Sequence, residues 1–190
     1  MNPSGPASGF FSAIQNALTS GNAGQGWANV GLFAGDVVNA IPIFSIFLGV
    51  IMVFWGIKGF VQVGSRGSQT TYAHCFGLIF GGAAFGVIGS MMSMTTNTIF
   101  GPGSTPTGLS MISAGSGNIA TQIDGAVSNL TVMLGWLSLS RGIWYWSQAG
   151  NPQMGGAGKS PFWRGLAHVF AGGLAANMAG TVGLFASTIL

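Results

Sequence analysis

The sequence predicts an all-α membrane protein: four transmembrane helices arranged as two duplicated helical hairpins. Three observations carry that expectation. Charged residues are only 4% of the 190-residue chain, against about 25% in a typical soluble domain. Hydrophobic residues are 48% and mean hydropathy is +0.57. Four segments are long and apolar enough to span hydrocarbon, which takes about 20 helical residues. Five basic and two acidic side chains cannot coat a water-soluble domain of this length. The hydrophobic content excludes a disordered chain. The 34 glycines follow no three-residue period, which excludes collagen.

Residues 1–35 read as a polar, amphipathic segment on the outer side, with Phe10, Phe11, Ile14 and Leu18 on one helical face. They lack a basic n-region, so no cleaved signal peptide is expected. The first hairpin covers 36–100. Its spans run over 41–63 and 76–100, with Pro42 in the first turn, where a missing N–H costs little. Residues 101–125 form a linker rich in Gly, Ser and Thr. The second hairpin covers 126–190, with spans over 126–146 and 166–190.

The two hairpins share a pattern. Leu48-Gly49 recurs 86 positions on as Leu134-Gly135, and Gly81-Gly82 recurs 91 positions on as Gly172-Gly173. Gly89 recurs as Gly180 at that second spacing. Such self-similarity fits an ancient duplication, although any two membrane hairpins rich in small residues share such a pattern.

Charge placement predicts orientation. Lys58 and Arg66 flank the first hairpin turn; Arg141, Lys159 and Arg164 flank the second. Asp36 and Asp124 precede the first and third spans. All cations thus fall on one side, which the positive-inside rule assigns to the cytoplasm. The chain termini and linker then face the periplasm. Trp55, Trp144, Tyr145, Trp146 and Trp163 lie at the cationic level and read as an interfacial aromatic belt. Packing of these rings between helices gives the same pattern.

The sequence offers no catalytic and no metal site. The two carboxylates lie at the opposite end from His74 and His168, so no acid–base couple forms between them. His74, Cys75 and His168 are too few for a zinc site, and Cys75 reads as a small buried thiol. No ionisable group stands near mid-membrane, which argues against a selective ion pathway through one copy. Small residues at four-residue spacing are the stronger signal: Gly77 and Gly81, Gly82 and Gly86, then Gly172, Ala176 and Gly180, with Gly89 beside them. They let helix backbones approach closely, within one chain or between copies.

An apolar helix ending in Trp55-Gly56-Ile57-Lys58-Gly59, or in Ser140-Arg141-Gly142-Ile143-Trp144, leads into a Gly-rich basic loop and a Gly/Ala-rich helix. This unit resembles the small membrane proteins of type IVB secretion and conjugation systems. Those include the IcmC/DotE proteins of the Dot/Icm machinery and the TraQ-like proteins of conjugative plasmids. Each hairpin also resembles a VirB-type pilin. The resemblance implies a non-enzymatic, pilin-like component of the bacterial inner membrane that self-assembles into a conduit or extracellular pilus. It implies that Lys58, Arg66, Arg141, Lys159 and Arg164 face a lumen or lipid headgroups. Implied partners are membrane lipids, copies of the chain, other secretion-system membrane proteins and transferred DNA. No cofactor is expected beyond a bound phospholipid. The alternatives are an accessory inner-membrane component that does not polymerise, and a small channel or holin-like pore.

Overall fold

A computed structural model describes residues 23–64, 70–104, 119–151, 160–177 and 181. The described residues form five helices and no strand. They are α1 (Ala23–Gln62), α2 (Tyr72–Gly86), α3 (Ile88–Phe100), α4 (Ile119–Ser147) and α5 (Pro161–Ala176). The amphipathic stretch around Phe10–Leu18, most of the linker, Arg66, Lys159 and Gly180 lie outside the described residues.

α1 starts well ahead of the predicted span. Its 40 residues make a rod about 60 Å long at 1.5 Å per residue, twice the hydrocarbon thickness. It runs through the expected segment boundary at 35/36. Pro42 therefore stands mid-helix and not in a first turn. Gly, Ala and Asn ahead of Ile41 lower the hydropathy without stopping the helix.

The predicted span over 76–100 is broken. α2 and α3 meet at Val87 with a bend of 81°. The Val87 N–H turns back to the carbonyls of Ala84 and Phe85, which closes α2 short of the next turn. Gly86 and Gly89 flank the break, and bends favour such small residues. α3 then docks across α5, where a Cβ on Gly173 would stand 2.5 Å from Thr95 Cγ2. The hydroxyls of Ser93, Thr95, Thr96 and Thr98 donate to carbonyls four residues back, so this polar helix satisfies its own side chains.

Four spanning helices are not confirmed by length and composition, and most of the predicted fourth span past Asn177 lies outside the described residues. Among the described residues α1 alone qualifies, or two spans if the bent α2–α3 pair counts as one. Ser128, Asn129, Ser138, Ser140 and Arg141 interrupt the apolar run of α4. The described part of α5 is 16 residues.

Both hairpins close on glycine. A Cβ on Gly49 would stand 2.5 Å from the Gly82 carbonyl oxygen and 3.1 Å from the Gly86 nitrogen. On Gly135 it would stand 2.8 Å from both the Gly172 oxygen and the Ala176 nitrogen. One level on, Gly56 meets the Cys75 carbonyl and Ile79, while Gly142 meets the Gly165 carbonyl and Val169. These contacts match residue for residue at spacings of 86 in the first arm and 90 in the second. Gly82 thus corresponds to Gly172, and the spacing of 91 read from the Gly-Gly pairs is one too many. The adjacent glycines of each pair had allowed either alignment.

The hairpins pack side by side. Gly77 and Gly81 of α2 lie against Ser147 at the end of α4. Ile88 and Met92 of α3 join Val132, Trp136, Leu139 and Ile143 of α4 in the core. α1 crosses α4 where Gly31 faces Ala126, and buried Asn129 Nδ2 donates to the Gly31 carbonyl at 3.2 Å. Removing that bond with Asn129→Ala is expected to cost about 1 kcal/mol. An unchanged unfolding midpoint in detergent would speak against it.

Candidate functional site

The two ends of the bundle differ in charge. Asp36 and Lys58 are 22 residues apart on α1, about 33 Å of helix. Asp124 and Arg141 are 17 apart on α4, about 26 Å. One length is a little above and the other a little below the roughly 30 Å of a hydrocarbon layer. The acidic ends of α1 and α4 lie together, near the Gly31–Ala126 crossing. At the opposite end the hairpin turns meet: the Thr71 hydroxyl donates to the Gly150 carbonyl at 2.7 Å, and Thr71 also caps α2 through the His74 N–H.

Of the predicted cations, Lys58, Arg141 and Arg164 are described, and all three are exposed. Arg141 and Arg164 are brought together on one ring. Their guanidinium carbons lie 5.9 and 6.0 Å from the centre of Tyr145, within cation–π reach. His168 stacks on the same ring at 5.4 Å. Ser138 fixes that turn of α5, its hydroxyl 2.9 Å from the His168 carbonyl oxygen and 3.4 Å from Nδ1. The sequence marked Tyr145 only as a belt aromatic and gave His168 no role, so their stacking beside the arginines was not foreseen. Their signal was present as two four-residue pairs, Arg141–Tyr145 on α4 and Arg164–His168 on α5.

The aromatic side chains expected to form a belt divide into exposed and packed ones. Trp55, Trp144 and Trp163 are exposed. Trp146 is half-buried; its indole donates to the Phe162 carbonyl at 3.1 Å and its ring stacks on Phe162 at 6.2 Å. With Ala73, Phe76, Phe80 and Gly150 these two rings wall a cavity of about 350 Å³ between the hairpins.

No known family, curated protein or solved structure matches this chain.

Most of the predicted packing residues are used inside the chain. Gly82, Gly172 and Ala176 serve the hairpin contacts, and Gly77 and Gly81 serve the contact between hairpins. Gly86 and Gly89 differ: a Cβ on either would meet nothing within 4 Å. Cys75 is fully buried, with Gly59 leaving room for its sulfur. Among the described residues no three His, Cys, Asp or Glu side chains come together.

Proposed function

We propose that this chain is a structural membrane protein that acts through helix association: a pilin-like inner-membrane component of a type IV secretion or conjugation system, with no reaction of its own. In this reading both hairpins lie in the membrane as four membrane-embedded arms, with the basic turns cytoplasmic. The termini and linker are then periplasmic. Its partners are lipids, further copies of the chain and other membrane proteins of the machine. The uncovered apolar face of α1 supports the membrane part of this reading. Only 22% of the most apolar stretch of α1 is covered by the rest of the chain, leaving Ile43, Phe44, Phe47, Val50, Phe54 and Val61 exposed. Contiguous apolar faces of that size belong against lipid or another protein.

The observation that carries self-association is the open space at Gly86 and Gly89. Small residues there give another helix close access to the backbone. Gly86→Leu is expected to leave the monomer folded and to abolish higher oligomers, read by cross-linking in membranes and by imaging sheared surface filaments. Oligomers equal to wild type would refute the role of this notch.

The accessory, non-polymerising reading has its own support. Gly77, Gly81, Gly82, Gly172 and Ala176 are already covered within one chain, which leaves fewer surfaces for a lattice. A protein confined to membranes and absent from filaments favours that reading. Conductance of liposomes holding the purified protein favours a pore.

A further inference from the structure

We propose that copies of this chain join head to tail, α5 of one against α1 of the next, by repeating between chains the junction that holds the two hairpins together within each chain. It rests on the reading of the chain as self-associating, and not on a place in a secretion system; it adds which two surfaces meet.

The hairpins correspond residue for residue, so each surface of one can be located on the other. The spacings of 86 and 90 that relate their glycine contacts also relate an aromatic contact. Phe60 lies 6.0 Å from Tyr72; their counterparts Trp146 and Phe162 lie 6.2 Å apart. Within the chain, the junction sets Gly77 and Gly81 of α2 against Ser147 of α4. The α2 surface has its counterpart on α5 at Ala167 and Ala171, which are small and exposed. On α4, Val132, Trp136, Ile143 and Ser147 are buried. Their counterparts on α1 are Ile46, Val50, Ile57 and Val61, which share one helical face and are exposed. Ser147 is 0% exposed and Val61 83%.

The chain therefore carries both halves of one joint a second time, at opposite sides and uncovered. The outer face of α1 matches the face that α4 buries, and the outer face of α5 matches the face that α2 buries. Another copy of the chain supplies both missing partners. Gly64 marks the gap. A Cβ on Gly150 would meet Ala73 across the junction, whereas one on Gly64, the counterpart of Gly150, would meet nothing within 4 Å. Because the two surfaces differ, the contact is heterologous and generates a closed ring or an open filament. The side chains also differ in size. Ala replaces Gly, Val replaces Ser, and Trp163 stands where Ala73 does. A Cβ on Gly81 would overlap Ser147, so Ala171 and Val61 meet at wider helix spacing. The joint between copies is thus looser than the one within the chain.

The test uses the full chain in membranes, as two populations with different tags, one carrying Val61→Cys and the other Ala171→Cys. Both positions are exposed, and wild type, whose Cys75 is buried, is the blank. Oxidation is expected to give mixed dimers at least about tenfold above either variant alone, since a disulfide needs Cβ atoms about 4 Å apart. Val61→Cys with Ala167→Cys is a second pair with the same expectation. Trp55→Cys, exposed but about 120° around α1 from Val61, is expected to stay at the blank level with Ala171→Cys. Co-purification of the two tags in mild detergent reads self-association by itself. Tags that co-purify while neither Val61 pair exceeds the Trp55 control overturn the joint and leave self-association standing. Val61→Cys pairing chiefly with itself overturns the head-to-tail arrangement. Tags that do not co-purify, with no mixed dimer, overturn both.

Discussion

A single methyl group at Gly82 is expected to force apart the arms of the first hairpin. Its Cβ would stand 2.6 Å from the Gly49 carbonyl oxygen and 3.0 Å from the Val53 nitrogen. Those atoms are helix backbone, so no rotamer change makes room. Overpacking of this kind costs about 1–3 kcal/mol, and more where a helix must shift as a body. Gly49→Ala, Gly135→Ala and Gly172→Ala meet the same obstacle from the other three positions. Gly49→Ala and Gly82→Ala together are expected to cost less than their sum, because the first displacement already clears space for the second. Gly86→Ala is the matched control. Its methyl enters open space, and Ala is favoured over Gly in helices by up to about 1 kcal/mol. Unfolding in mixed micelles, followed by tryptophan fluorescence, separates the two classes. Equal midpoints for Gly82→Ala and Gly86→Ala would show that the arms do not touch as described.

Gly150→Ala is expected to cost about 3 kcal/mol or more, from two additive sources. The first is backbone: Gly150 has φ of +82°, a conformation that costs an L-residue about 1–2 kcal/mol. The second is space: a Cβ would stand 2.5 Å from Ala73 Cβ and 2.8 Å from the His74 nitrogen. Relief of that overlap pushes the end of α4 from the start of α2 and breaks the Thr71 bond to the Gly150 carbonyl. Trp146, in the cavity wall beside it, reports the change as a shift in emission. Gly103→Ala isolates the backbone share, since Gly103 has φ of +88° with nothing within 4 Å of its Cβ position. If the two variants lose equal stability, the junction between hairpins is loose.

Much of the helical layout was legible in the sequence, because apolar runs report burial or lipid contact directly. The paired arms were legible too: Gly49 and Gly135 stand at equivalent places, and each meets a glycine of the returning arm. Helix ends were not. Hydropathy stops α1 near Ile41, but a helix stops only where its backbone is interrupted, and Asn, Ala and Gly ahead of Pro42 do not interrupt it. The break at Val87 was hidden for the opposite reason. The run from Cys75 to Met92 is continuously apolar or small, and composition does not see direction. Its trace in the sequence is the change from Gly/Ala-rich α2 to Ser/Thr-rich α3, with Gly86 and Gly89 astride a β-branched pair. At the candidate site, charge position was legible for Arg141 and Arg164. Their convergence on Tyr145 was not, because it depends on how α4 and α5 are rotated against each other.

The matching contacts in the two hairpins carry a consequence for stoichiometry. Each chain is already a pair of near-equivalent halves joined covalently, so any ring or tube of these molecules contains an even number of halves whatever its number of chains. A closed ring that set the two halves side by side around its axis would have alternating lobes, one bearing the crooked α2–α3 arm and the next the Arg141–Arg164 arm. Its rotational order is half the lobe count.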